Sequence, residues 1–338
     1  MSALVSSVRA RGRARHARVI LALAGVSVVV AGISLAVGSY TVSVPDLVAT
    51  LTGHGSSKDD FIVLQLRLPR VALGALVGLA FAVSGAIFQA LLANPLASPD
   101  IIGITGGASA AAVAALLLGG ASGFVVSASA FLGALIVAAS IALLALRSGL
   151  NGYRFVLIGI GFAFIVRAIL GYLLTRSDVR EAHAALVWLV GSLGGASWQE
   201  IAVTAVCLAV LAPALVVLAS RLRMLQLGDE TAAGLGVGVT VSRVLLIGVA
   251  VGFAAVATAA AGPVAFVPFV AAPIARRLVG AGAPALVASA LVGIVVVLVS
   301  DFIGQHLLPD GLQVPVGIVT GIIGTPLLIW LLVRSNRR

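Results

Sequence analysis

Apolar runs long enough to cross a membrane recur along almost the whole chain, near residues 19–38, 71–92, 101–119, 121–146, 155–175, 199–220, 243–274, 283–304 and 314–333. A helix needs about 20 mostly apolar residues to traverse a hydrocarbon core of about 30 Å. In lipid, backbone N–H and C=O groups have no water to bond, so repeated runs of this kind specify helices. The expected fold is therefore an all-α polytopic membrane protein. Composition agrees: 61% of the 338 residues are apolar and 9% charged, against about 25% charged in soluble domains. That excludes an ordinary globular enzyme, a disordered chain and a peripheral protein with a single anchor.

The run 243–274 is too long for one helix, and Gly262-Pro263 interrupts it. Proline inside a helix removes a backbone bond and clashes with the preceding turn. Splitting there predicts one helix ending near Ala261 and a short one from about Pro263 to Ala275, making ten spans. Charge placement favours ten over nine. With ten spans and both termini cytoplasmic, 15 of the 21 basic residues fall inside, five outside (Lys58, Arg67, Arg70, Arg176, Arg180), and Arg167 lies within a span. Nine spans would divide them ten against ten, and cytoplasmic loops are the ones enriched in Lys and Arg. The expected organisation is a basic cytoplasmic tail (1–18), one transmembrane domain (19–333) with a cytoplasmic loop at 221–243, and a short cytoplasmic tail (334–338). The apolar, glycine-ended segment 184–195 is expected to be an external or half-inserted helix. Asp301 is assigned to the external side, and Asp100 to the cytoplasmic side.

Catalytic chemistry is hard to find. The four histidines (His16, His54, His183, His306) are scattered without metal-ligand spacing. Cys207 is the single cysteine, so no intrachain disulfide can form. No glycine-rich loop precedes a lysine as a nucleotide site requires, and Gly103–Gly107 reads as a close helix contact. The net charge of +10 is explained by topology, so nucleic acid is not an expected partner. No cofactor is expected in the chain. Passage of a solute remains. Ion-coupled transporters place carboxylates within spans, and here only Arg167 is charged mid-span, which disfavours that class.

The segment 65–107 carries Leu66-Arg67-Leu68-Pro69-Arg70, a glycine-rich span, Ser84-Gly85, Gln89 and Asn94-Pro95-Leu96-Ala97. Further along come Trp188–Leu193, Leu227–Gly236, Gly262-Pro263 with Ile274-Ala275-Arg276, and Pro315–Gly317. Together these resemble the FecCD family, permease subunits of type II ABC importers for iron–siderophore complexes, haem and vitamin B12. The resemblance implies a permease in the bacterial cytoplasmic membrane that moves a ferric siderophore, with vitamin B12 or haem as alternatives. It also implies separate ATP-binding subunits, a periplasmic or lipid-anchored substrate-binding protein and a second permease subunit. A heterodimer is favoured over a homodimer.

The same resemblance assigns roles. Leu227, Gly228, Asp229, Glu230, Thr231, Ala232 and Gly236 would form the helix that couples to the ATPase, a capped connecting helix without a partner being the lesser alternative. Arg67 and Arg70 would meet acidic groups of the binding protein, or else snorkel to lipid headgroups. Gln305 replaces a third arginine common in the family. Asn94 and Leu96 would help close the cytoplasmic end of the pathway, or simply make a proline turn. Arg167 sits where a charge costs about 2.5–3.5 kcal/mol on insertion scales. It is expected to face the pathway and favour an anionic siderophore, unless it snorkels or pairs with a neighbouring helix. Ala272-Pro273 departs from the family's Pro-His, so no role for that histidine carries over.

Overall fold

A computed structural model describes residues 2–147, 152–280 and 285–335; residues 336–338 of the expected C-terminal tail lie outside them. Fourteen α-helices form the described chain. They are α1 (Ser2–Ala36), α2 (Val44–Leu51), α3 (Ser57–Asp60), α4 (Leu68–Leu91), α5 (Ile104–Gly119), α6 (Phe124–Arg147), α7 (Gly152–Arg176) and α8 (Val179–Val190), then α9 (Trp198–Leu225), α10 (Asp229–Gly234), α11 (Val239–Ala261), α12 (Val267–Val279), α13 (Leu286–His306) and α14 (Val316–Ser335). All ten expected apolar segments are helical. Seven helices are long and apolar enough to cross a membrane, while Ile104–Gly119 and Val316–Trp330 are shorter apolar helices. Helix α12, with 13 residues, is only about 20 Å long, so it does not cross alone.

Local chemistry sets the boundaries. The basic N-terminal segment is helical and continuous with α1, a 35-residue helix. Pro69 can donate no bond to the carbonyl four residues back, and the turn before it, Phe61–Arg67, widens to a π-helix joining α3 to α4. The Trp198 indole Nε1 donates to the Leu64 carbonyl in this turn at 3.1 Å. The break after α11 is longer than the Gly-Pro pair alone implies. Residues 263–265 are non-helical, Phe266 adopts φ 66°, and α12 begins at Val267 with a proline in its first turn. The short helix therefore runs four residues later than expected. Helix α8 also differs: it spans 179–190, because Gly191 (φ 80°) ends it where the sequence suggested continuation.

Helix α4 is the core. It is buried along most of its length and is surrounded by α9, α11, α12 and α13. Lipid tails are as apolar as leucine, so helices associate through close packing of small residues. A Cβ added at Gly293 of α13 would lie 2.2 Å from the Gly78 carbonyl oxygen, and one at Gly85 would lie 2.1 Å from that of Pro268. Ser84 Oγ donates to the Ala250 carbonyl at 2.7 Å, tying α4 to α11. Gln89 repairs α12: Pro273 has no N–H for the Phe269 carbonyl, and Gln89 Nε2 donates to it at 3.1 Å. Arg276 Nη2 donates to Gln89 Oε1 at 2.7 Å.

These bonds define two ends of the bundle. At the Arg276 end, Arg15 of α1 donates to the Arg277 and Leu278 carbonyls, so the start of α1 meets the end of α12. At the Arg70 end, the end of α1, the start of α4 and the end of α13 come together. Exposed apolar side chains on α7, α9 and α14 face outward.

Gly293→Val would force α4 and α13 apart. Overpacking of a filled contact costs about 1–3 kcal/mol, so a clear fall in Tm of the purified protein in detergent is expected. Gly248→Ala, with nothing within 4 Å, should hold or raise Tm by the helix preference for alanine.

Candidate transport pathway

Three motifs distant in sequence meet as backbone at the end of the α11–α12 break. The Ser192 N–H donates to the Ala261 carbonyl at 2.8 Å and the Gly317 N–H to the Gly191 carbonyl at 3.2 Å. A Cβ at Gly262 would lie 2.5 Å from the Trp188 carbonyl oxygen, and one at Gly191 would lie 2.6 Å from that of Pro263. Trp188–Leu193, Gly262-Pro263 and Pro315–Gly317 thus form one junction, and glycine is needed because backbone lies against backbone.

Beneath this junction lies a cavity of about 720 Å³, open to one side. Leu189, Val190, Pro263 and Gly317 of the junction line one end, and Ile160, Ala163, Phe164, Arg167 and Leu170 line the wall. Those five positions recur at helical spacing on one face of α7. Asp100, Gly103, Thr105 and Ser109 line the other end. Gly103, with φ 82°, sits against Gly159 and Ala163 of α7. Arg167 is exposed and borders the cavity.

In the sequence Asp100 reads only as a cytoplasmic loop acid and not as a cavity residue. It lies in the turn between α4 and α5, and Thr105 Oγ1 donates to its Oδ1 at 2.7 Å. Burial pushes its carboxyl up to about 6, partly opposed by the Thr105 hydroxyl. The available signal was Ser-Pro-Asp five residues ahead of a threonine in a helix's first turn.

Arg67 and Arg70 are turned inward. Arg67 donates through Nη1 to the Leu35 and Ala36 carbonyls at 2.7 and 3.1 Å, and through Nη2 to Tyr40. It caps the end of α1, where carbonyls and the helix dipole favour a cation; Gly38 leaves room for the guanidinium. Arg70 grips Asp301 of α13 with Nη2–Oδ1 at 2.8 Å and Nε–Oδ2 at 2.9 Å. Gln305 Nε2 donates to the same carboxylate. Asp301 is buried within α13, near its C-terminal end. A carboxylate one turn inside an apolar run signals such a pair. Both arginines thus bond within the chain, Arg67 to the end of α1 and Arg70 to α13.

Asn94 and Leu96 make a turn: Asn94 Oδ1 accepts from the Leu96 N–H at 2.9 Å, and the Asn94 carbonyl accepts from the Ala97 N–H at 3.1 Å. Neither lines this cavity; the two form a side-chain-supported proline turn. At the Arg276 end, α10 carries Asp229, Glu230 and Thr231 exposed, with Leu227, Gly228 and Gly236 exposed beside it and Ala232 buried as its anchor. Asp229 pairs with Arg243 at 2.8 Å.

Fold and site together define a polytopic helical transport protein with a side cavity and an exposed short helix at one end. The chain belongs to the FecCD transport family, whose profile it matches over residues 10–334. It is not itself an enzyme. It is 37% identical over 318 residues to the ferric enterobactin transport system permease protein FepG of Escherichia coli (strain K12), covering 94% of this chain and 96% of that one. It is 42% identical over 306 residues to the achromobactin transport system permease protein CbrC of Dickeya dadantii (strain 3937), covering 89% and 87%. Among solved structures it is similar to a metal-chelate type ABC transporter in an inward-facing conformation, with TM-score 0.84, 28% identity and coverage of 94% and 99%.

Removing Asp301 strands a partly buried guanidinium. Asp301→Ala should cost roughly 2–3 kcal/mol, below the ~3–5 kcal/mol of a fully buried broken pair because Arg70 is partly exposed, read as a fall in Tm. Arg70→Met with Asp301→Leu should recover much of that loss.

Proposed function

We propose that the chain is the permease subunit of an ABC importer carrying a ferric siderophore across the bacterial cytoplasmic membrane. The observation that carries this reading is the cavity wall on α7, where Arg167 stands among apolar side chains. A cavity of that volume accommodates a chelate of several hundred daltons. A fixed cation there favours anionic complexes over neutral ones. The relatives' names, ferric enterobactin and achromobactin systems, support an iron chelate as cargo.

The chain's own residues then have distinct tasks. Helix α10, anchored by Ala232 and held by the Asp229–Arg243 pair, offers its exposed side and Leu227 to a separate ATP-binding subunit at the cytoplasmic end. The apolar faces of α7 and α14 are to be covered by a second permease subunit, a heterodimer being favoured, which would close the open side of the cavity. A periplasmic or lipid-anchored substrate-binding protein would deliver cargo at the Arg70 end. Arg67 and Arg70 would act there by holding α1, α4 and α13 in place as much as by touching the partner. Both termini would be cytoplasmic, since α1 begins at the arginine-rich end.

Arg167→Ala should lower uptake of anionic ferric siderophores into proteoliposomes of the assembled importer about tenfold, the scale of one lost charge contact. Neutral ferric chelates should change little; equal losses would end the selectivity claim. Leu227→Asp, at an exposed position, should leave Tm unchanged yet weaken co-purification with the ATPase subunit and cargo-stimulated ATP hydrolysis.

A further inference from the structure

The cavity has two charged poles. Asp100 and Arg167 are the charged side chains among the described residues that line it, and they form no ion pair with each other among those residues. The turn carrying Asp100 rests on Gly159 of α7 through Ile102 and Gly103. Arg167 lies eight residues further along that helix, about 12 Å by its rise. A solute moving down the α7 wall from Arg167 therefore meets Asp100 next, at the end nearer the cytoplasmic loops.

We infer that Asp100 is a specificity-determining residue of this pathway, a protonatable acid that opposes passage of anionic chelates when ionised and admits them when neutral. The inference rests on the cavity being the cargo pathway. The surroundings suit the role. Helix α5 presents only the hydroxyls of Thr105 and Ser109, while α8, the α11–α12 break and α14 present apolar groups and glycine. Helix α7 contributes Arg167 in the cavity and carries Arg154 at its exposed start. Arg276 of α12 is directed to Gln89. No carboxylate other than Asp100 lines the cavity among the described residues. Burial lifts its carboxyl to about 6, so it is largely neutral at pH 5.0 and ionised at pH 7.5. Ionisation changes the end of the path from a hydrogen-bonding acid to a like charge for an anionic cargo.

The test uses the complete importer in proteoliposomes, buffered alike on both sides at pH 5.0 or 7.5. The cargoes are a ferric trihydroxamate bearing carboxylates and its neutral amide counterpart. The wild-type ratio of anionic to neutral uptake should fall about tenfold from pH 5.0 to 7.5, the scale of one charge met at about 10 Å in an effective dielectric of about 20. Asp100→Asn should hold the ratio at its pH 5.0 value throughout, and Asp100→Glu should restore the dependence. In unfolding assays, Asp100→Asn should gain Tm over wild type above pH 6, an advantage lost as pH falls toward 4, because only wild type must desolvate a carboxylate there. An unchanged pH dependence in Asp100→Asn, or equal loss of both cargoes, overturns the inference while leaving the importer reading in place. Import of neither chelate by wild type overturns both.

Discussion

Everything about the cavity depends on how the chain satisfies its backbone where α11 breaks. Non-helical backbone at membrane depth persists only when buried in protein or lining a cavity. Here the break does both: Ser192 supplies an N–H to Ala261, and Gly191 accepts one from Gly317. Those contacts require three segments to approach within backbone distance, and glycine at 191, 262 and 317 permits it. Once the junction closes, Pro263 and Val190 form one end of the cavity and α12 is directed back along α4.

The second constraint is the burial of α4. It is a helix with partners on several sides, so every neighbour is positioned against it by glycine contacts or by a specific bond. Gln89 is the clearest case: one amide donates to the carbonyl that Pro273 leaves without a donor and accepts from Arg276. At the opposite end, Arg67 closes α1 and Arg70 holds α13. The inner bundle is thus fixed at both ends, whereas the α7 wall faces outward with its apolar side chains exposed. Such a surface suits a partner or lipid more than water.

Much of this was legible in the residues. Ten apolar segments became ten helices because membrane-length runs leave the backbone few alternatives. Arg167 was legible as a lone charge amid apolar residues, while its place beside the cavity is set by how α7 packs. The split at Gly262-Pro263 was legible in kind but not in length, since the positive φ at Phe266 is set by packing rather than local preference. Arg67 and Arg70 show where reading stops. Their position at a helix mouth was visible, but the acceptors at Leu35 and Asp301 are brought to them by the fold. Asp100 was legible as a cytoplasmic-side acid but not as a cavity residue, because a carboxylate in a turn usually faces solvent and only the approach of α7 makes it part of the wall.

The central claim, that the α7 face of this cavity is a solute pathway, is tested most directly by thiol accessibility in the membrane. In a Cys207→Ser background, single cysteines at 163, 164 and 167 on the cavity face, and at 165 and 169 on the opposite face, would be treated with a membrane-impermeant methanethiosulfonate in the assembled importer. Rapid modification is expected at 163, 164 and 167, slowed by a ferric siderophore, and slow modification at 165 and 169. Equal rates on the two faces, or no protection by any ferric chelate, would contradict the claim.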